Sequence, residues 1–197
     1  MVKPMRVGVL ALQGDFALHQ TMLKRLGAES PAVRSPETLS TCDGLVMPGG
    51  ESTTLHLLLK KTGLLDAIPD FARTHAIFGT CAGMILIASR ITTNGMSTLG
   101  LIDLEVERNA YGRQVDSFVD TIRVPHFTGK PFIEGVFIRA PRIRAVGEGT
   151  EPLGFHGDEV VMARNRRVLA AAFHPELTRD SRVHRYFLDM VEQVRAT

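Results

Sequence analysis

The sequence predicts an α/β fold in which a mostly parallel sheet with helices on both faces gains antiparallel strands in the second half of the chain. Near-continuous apolar runs at residues 6–12 and 44–47 are typical of strands buried on both faces, as in a parallel sheet. Helical stretches separate such runs up to about residue 90, whereas β-like segments with turns between them follow from Thr92. The first half therefore favours strand–helix–strand units with right-handed crossovers.

The elements follow in order. Apolar runs predict strands at 6–12, 31–34, 44–47, 76–79 and 168–173, and helical patterns predict helices at 16–26, after Ser52, at 64–74, 82–89 and 180–194. Asp15 would cap the first helix and Gly27 would end it, and Pro69 would kink or split the helix at 64–74. The β-like segments are 99–108, 117–124, 132–138, 143–146 and 159–163. They would extend one edge of the sheet or form a small covering sheet.

Length and composition indicate an ordinary globular protein. The chain has 197 residues, so we expect a single domain over 1–197, and 44% hydrophobic with 22% charged residues suffices for a sizeable core. A net charge of +2 argues against a general nucleic-acid binder. Two cysteines cannot build a disulfide framework or a four-ligand zinc site. The apolar run near the N-terminus is too short for a signal peptide or a spanning helix, so we expect a reducing, cytoplasmic location.

A cysteine lies between a predicted strand and a predicted helix, flanked by glycines. Gly79, Cys81 and Gly83 form Gly-x-Cys-x-Gly, the cysteine version of a nucleophile elbow. Such a turn strains the backbone of the nucleophile and leaves no space for side chains two positions away. The helix N-terminus would favour the thiolate. By itself, this motif equally allows a buried structural cysteine in a tight turn.

A glycine-rich loop follows the strand at 44–47. Residues 48–52 read Pro-Gly-Gly-Glu-Ser, which is neither a Walker phosphate loop nor Gly-x-Gly-x-x-Gly. The loop lies at the carboxyl edge of the sheet, where open parallel sheets bind ligands. Gly50 could offer its amide to an oxyanion. In isolation, a tight turn without a ligand is the simpler interpretation.

A histidine follows the last predicted strand. Pro175 keeps His174 out of the helical region, so the chain stays extended and Glu176, two residues on, can reach the imidazole and orient it. Cys-His catalysis requires such a base and such an orienting group. A core histidine beside a surface glutamate is the alternative. The occurrence of this motif with the other two in one chain favours the catalytic interpretation.

Two arginines each follow an apolar strand. Arg108 and Arg139 could each bind a carboxylate through two hydrogen bonds. Considered alone, each is more simply explained as a solvated surface residue.

The three motifs, at 48–52, 79–83 and 173–176 in this order, resemble those of the class I (triad) glutamine amidotransferases. The segments 12–14, 49–54, 106–109, 112–118, 136–141 and 174–178 resemble, more closely, those of the glutaminase subunits of pyridoxal 5'-phosphate synthase. The resemblance extends from about Met5 to the end of the chain. Residues 123–131 are not part of it and receive no role.

This resemblance implies a flavodoxin-like three-layer sandwich that hydrolyses L-glutamine to L-glutamate and ammonia through a cysteinyl thioester. Cys81 would be the nucleophile, His174 the general base and acid, and Glu176 its orienter. The amides of Gly50 and Ala82 would bind the oxyanion. Glutamine would be bound by Gly50, Glu51, Ser52, Arg108, Ile138 and Arg139.

The resemblance also implies how the ammonia is used. The partner would be the synthase subunit, a (β/α)8 barrel, in a large hetero-oligomer, and no metal or cofactor would be needed. Gln13 would lie beside the oxyanion loop, and the region after it would form part of the docking surface. A glutaminase of this kind would be weakly active until it docks.

Three other functions remain open at this point. A glutaminase of another synthase, such as that of histidine biosynthesis, would share the triad and differ around Arg108 and Gln114. A cysteine peptidase-like hydrolase of the flavodoxin-like group would keep the elbow, and so would a non-catalytic binding module. Cys42 is expected to be structural.

Overall fold

The computed structural model describes residues 4–92, 96–108 and 117–196. In this part of the chain, nine strands form a sheet in the order β2-β1-β3-β4-β12-β11-β10-β7-β8, and three form a second sheet in the order β5-β6-β9. The strands are β1 (Val7–Leu10), β2 (Ala32–Val33), β3 (Gly44–Met47), β4 (Ala76–Thr80), β5 (Ala88–Ile91), β6 (Ile102–Glu107), β7 (Ser117–Arg123), β8 (Phe132–Ile138), β9 (Arg142–Val146), β10 (Glu151–His156), β11 (Glu159–Arg164) and β12 (Val168–Ala171). The helices are α1 (Phe16–Arg25), α2 (Pro36–Leu39), α3 (Ser52–Thr62), α4 (Leu64–Ala72), α5 (Ala82–Ile87) and α6 (Arg182–Arg195), with a 3₁₀ turn at Pro175–Leu177.

One half of the large sheet is parallel, as the apolar runs predicted. Strands β2, β1, β3, β4 and β12 pair in parallel, with Val46 opposite Phe78 and Phe78 opposite Leu169. Every residue of β1, β3, β4 and β12 is buried. Because parallel strands end at the same edge, the segments that follow β1, β3, β4 and β12 converge there.

The second half of the chain combines the two arrangements left open by the sequence. Strands β11, β10, β7 and β8 extend the large sheet in antiparallel fashion from β12. Strands β5, β6 and β9 form the small separate sheet. The fold class predicted from the sequence is confirmed.

Helices cover both faces of the parallel half, and β4 shows why. The Phe78 ring packs against Phe187 of α6, with ring centroids 5.4 Å apart, and against His19 of α1 at 6.3 Å. Successive residues of a strand face opposite sides, so Gly79 faces the other layer. There a Cβ on Gly79 would lie 2.5 Å from Cδ1 of Ile87 in α5. Helix α3 packs on α5 and α4 in that same layer.

The structure shortens two predicted helices. The helix at 82–89 ends at Ile87, and the chain continues as β5, because the backbone amides of Leu99, Gly100 and Leu101 bond the carbonyls of Leu86, Ala88 and Ile87. The helix around Pro69 is not split: α4 runs unbroken from Leu64 to Ala72.

Two further elements were not predicted, and one predicted helix cap is wrong. The sequence reasoning did not identify β10, whose Pro152 and Gly154 lie at register shifts, or the short helix α2. Within the described residues, the Asp15 side chain makes no capping hydrogen bond, and Asp15 lines a cleft instead. In the described part of the chain, no helix is long and apolar enough to cross a bilayer.

We expect Phe187→Ala to lower the free energy of unfolding by about 3–5 kcal/mol, because it leaves a cavity between α6 and the sheet at a fully buried position. Urea denaturation followed by circular dichroism measures this. The control is Leu57→Ala, at a side chain 61% exposed on α3, which should change stability by no more than about 0.5 kcal/mol. Equal losses in the two variants would contradict the proposed packing of α6.

Candidate active site

Cys81 lies in the turn between β4 and α5, and its backbone is strained. Its φ of 49° and ψ of −108° lie in a region that side chains rarely adopt. The amide of Cys81 donates to the carbonyl of Ala171 at 2.9 Å, and the carbonyl of Cys81 accepts from the amide of Ile85 at 3.1 Å. A Cβ on Gly83 would lie 1.9 Å from the carbonyl oxygen of Met47. The requirement for glycine two residues after the cysteine is confirmed.

His174 follows β12 and is fixed at both its backbone and its ring. The His174 amide donates to the carbonyl of Val136 at 2.8 Å, and Nδ1 lies 2.7 Å from Oε1 of Glu176. Both side chains are almost completely buried. With Nδ1 bonded to the carboxylate, Nε2 remains for the thiol of Cys81. The structure therefore brings together the three residues that the sequence motifs selected.

The electrostatics favour the protonated form of His174. Burial lowers the pKa of His174, but the hydrogen bonds that its ring donates to Cys81 and Glu176, and the negative charges of both groups, outweigh burial and raise this pKa to about 10. His174 thus keeps its proton at neutral pH. An imidazolium between two such neighbours is suited to hold a thiolate and, later, to donate a proton.

The glycine-rich loop after β3 lies against the same two side chains. A Cβ on Gly49 would lie 2.5 Å from Cε1 of His174 and 3.2 Å from Cβ of Cys81, so only glycine fits. With its oxygen facing the Glu51 amide and its nitrogen facing the Glu51 carbonyl, the side-chain amide of Gln13 makes two hydrogen bonds of 3.1 Å. Gln13 thereby holds the backbone of the loop, next to Gly50, whose φ is 147°.

These elements enclose a cleft of about 280 Å³, a volume at the lower end of small-molecule sites. Its lining residues are Gly14, Asp15, Gly49, Gly50, Glu51, Ser52, Cys81, Ile85, Arg108, Ile138, Arg139 and His174. All six residues predicted to bind glutamine are among them. Ala82 is buried directly after Cys81 and Glu176 lies behind His174, and neither lines the cleft.

Charged side chains border the cleft. Glu51 caps α3, since its carboxylate accepts from the amides of Thr53 at 2.9 Å and Thr54 at 2.7 Å. Burial raises the pKa of Glu51, but the hydrogen bonds from Thr53 and Thr54 outweigh it and lower the pKa to about 2. Nη2 of Arg108 lies 3.1 Å from Oγ1 of Thr53 and 3.5 Å from Oε1 of Glu51. Arg139, at a positive φ of 42°, is the other arginine of the cleft.

Sequence reasoning missed two histidines behind the triad. His19 of α1 and His184 of α6 are fully buried, and Nε2 of His19 lies 3.3 Å from Oε2 of Glu176. The only signal in the sequence was a polar residue on the apolar face of the predicted first helix. Asn109 and residues 112–116, which belong to the segments carrying the family resemblance, lie outside the described residues.

Comparisons with known proteins agree with this geometry. The SNO glutamine amidotransferase family matches residues 9–193. A Pelotomaculum thermopropionicum protein named pyridoxal 5'-phosphate synthase subunit PdxT is 53% identical over 186 residues, which cover 94% of each chain. A protein of the same name from Brevibacillus brevis is 50% identical over 193 residues, 98% of this chain and 100% of the relative. A crystal structure of a glutamine amidotransferase matches with a TM-score of 0.88 at 48% identity, covering 94% of this chain and 98% of that one. The predicted family relationship is confirmed.

We expect His174 to stay protonated at neutral pH and to lose its proton only as the pH rises toward 10, because its pKa is raised by Cys81 and Glu176. In Cys81→Ala this pKa should fall, since one hydrogen bond and one negative charge are removed. NMR of the histidine ring nitrogens measures both. His184 is the internal control, because burial lowers its pKa to about 4 and it should stay neutral throughout. A wild-type His174 that titrates near the ordinary value of about 6.5 would contradict the stabilised imidazolium.

Proposed function

The chain belongs to the SNO glutamine amidotransferase family, and we propose that it hydrolyses L-glutamine to L-glutamate and ammonia for a pyridoxal 5'-phosphate synthase. The observation that carries the proposal is the arrangement of Cys81, His174 and Glu176 at a cleft bordered by the Gly49–Gly50 loop. Relatives about half identical over nearly the whole chain bear the name of a subunit of this synthase. The same family membership argues against a cysteine peptidase, a non-catalytic module and a glutaminase of histidine biosynthesis.

The first half of the reaction forms a thioester. The thiolate of Cys81 attacks the carboxamide carbon of glutamine, and the amides of Gly50 and Ala82 stabilise the oxyanion. The C–N bond then breaks, and the imidazolium of His174 gives its proton to the departing nitrogen, so ammonia leaves. Glu176 holds the imidazole in the orientation in which it can reach both Cys81 and the departing nitrogen.

The second half regenerates the enzyme. Neutral His174 takes a proton from a water molecule as that water attacks the thioester carbon. The C–S bond breaks and Cys81 leaves as a thiolate, and the new γ-carboxyl group gives its remaining proton to water as L-glutamate is released. His174 is again an imidazolium, and no metal or cofactor takes part.

Substrate binding uses the remaining residues of the cleft. Arg108 and Arg139 supply positive charge for the α-carboxylate of glutamine, and Gly50, Glu51 and Ser52 supply polar groups beside the N-terminus of α3. The carbonyl of Ile138 lies 3.9 Å from Sγ of Cys81. It is therefore placed to accept a hydrogen bond from the carboxamide nitrogen near the point of attack.

The ammonia needs a partner because in water it would be protonated and lost. We assign the partner to a synthase subunit with a (β/α)8 barrel, in a large cytoplasmic hetero-oligomer to which this chain contributes one glutaminase domain spanning 1–197. The start of α1, after Gln13, would form part of the docking surface.

Cys81→Ala should lower the rate of ammonia release by at least about a thousandfold, because triad members act as a unit. Glutamate and ammonia formed from L-glutamine are measured together. Cys42→Ala is the matched control: Cys42 is buried away from the cleft, with Sγ 3.4 Å from the carbonyl of Thr38, and its loss should leave the rate per folded protein unchanged. A Cys81→Ala variant with wild-type activity would exclude the mechanism.

The isolated chain should hydrolyse glutamine slowly, and addition of the synthase subunit should raise kcat. Titrating the purified synthase subunit into the glutaminase assay measures this increase. As a control, the same subunit is titrated into an assay of the glutaminase subunit of histidine biosynthesis, which it should not activate. An isolated chain already at its full rate, or equal activation of the two glutaminases, would contradict the assignment of the partner.

A further inference from the structure

One oxygen of the Glu176 carboxylate is not used by the triad. Oε1 binds His174, but Oε2 is buried and makes no hydrogen bond with any group in the described ranges. A buried carboxylate oxygen without a donor is destabilising, so its surroundings require an explanation.

The group facing Oε2 is an imidazole. Nε2 of His19 lies 3.3 Å from Oε2 and 3.4 Å from Oγ1 of Thr80. On its other side, Nδ1 of His19 lies 2.9 Å from Nε2 of His184. The chain of contacts therefore runs from Glu176 through α1 to α6, inside the layer that also holds Phe78.

The short contact between the two histidines restricts their tautomers. One of the two nitrogens must donate. If Nε2 of His184 donates, Nδ1 of His19 accepts and the proton of His19 lies on Nε2, facing the carboxylate of Glu176. The reverse arrangement would turn a lone pair toward the carboxylate. It would also leave Nδ1 of His184, which has no partner among the described groups, as a buried N–H donor.

His19 is kept neutral mainly by its burial. The titratable groups around it are His184 from α6 and His174 with Glu176 from the segment after β12. Burial, and then the charges of His184 and His174, lower the pKa of His19 well below its usual range. A neutral His19 adds a donor near Glu176 without adding a second positive charge beside His174.

We propose that His19 is a positioning residue of the triad, which presents Nε2–H to Oε2 of Glu176 and is itself held in that tautomer by His184. This inference rests on the proposed function, because the reaction that His19 would support is the proposed hydrolysis of glutamine. The contact at 3.3 Å is not aligned as a hydrogen bond in the free chain, and bonds of this kind tighten when substrate binds. His19 thereby fixes the carboxylate that in turn orients His174.

The test compares three variants in the full chain. His19→Leu removes the donor at similar volume, His19→Gln retains an N–H donor, and Leu23→Ala is a control for core damage on the same helix. The first readout is the rate of alkylation of Cys81 by iodoacetamide as a function of pH, with the labelled peptide identified by mass spectrometry. It reports the thiolate–imidazolium pair and does not require glutaminase activity. The second readout is kcat and KM for L-glutamine.

In His19→Leu a less firmly held carboxylate stabilises the imidazolium of His174 less, so the pair that it forms with the Cys81 sulfur is weaker. We expect the acidic limb of the alkylation profile to move up by about one pH unit. We also expect kcat to fall about tenfold, as for other residues that orient a catalytic group, with KM nearly unchanged. His19→Gln should restore most of both, and Leu23→Ala should keep the wild-type profile.

The inference is overturned if His19→Leu keeps the wild-type alkylation profile and kcat per active site, or if His19→Gln is no better than His19→Leu. If His19→Leu fails to fold, His184→Leu is measured in its place. We then expect the acidic limb of the alkylation profile to move in the same direction by a smaller amount. A wild-type chain that shows the alkylation profile but releases no ammonia would refute the proposed function and leave this inference standing.

Discussion

The cleft depends on the strained backbone at Cys81. A positive φ costs an L-residue about 1–2 kcal/mol, so the surrounding structure must hold it there. The hydrogen bonds of its own amide and carbonyl do so, with β4 fixed between β3 and β12 on either side. In this conformation the thiol reaches the cleft next to His174, and is not covered by the helix that follows. The glycines at 79 and 83 are needed because β3 and α5 pack directly against the turn.

The parallel half of the sheet brings distant segments to one place. Strands β1, β3, β4 and β12 end at a common edge, so Gln13, Gly49, Cys81 and His174 meet although they are far apart in sequence. Their environment is largely buried, where an unpaired charge would be destabilising. Imidazolium and carboxylate are therefore paired, and a neutral histidine pair from α1 and α6 lies behind them. The layer formed by α1 and α6 therefore both stabilises the sheet and supports the site.

What could be predicted from the sequence was local. The runs at 44–47 and 76–79, and the motifs around Gly49, Cys81 and His174, each carry their geometry in a few adjacent residues. The end of α5 was wrong because residues 99–101, distant in sequence, bind the carbonyls of its last turn. Strand β10 was missed because Pro152 and Gly154 break the alternation that identifies strands. The contact between His19 and His184 depends on two helices packing on one face, which no local pattern encodes.

The central claim is that Cys81 and His174 act together on one substrate, and a trapped acyl enzyme tests it most directly. Mixing the chain with L-glutamine, quenching in acid and analysing the peptides by mass spectrometry should show a glutamyl group on the peptide that contains Cys81. The group should accumulate with glutamine and disappear once glutamine is exhausted. It should be absent from Cys81→Ala. A glutamyl group on any other residue, or glutamine hydrolysis with Cys81 unmodified at every time point, would contradict the account.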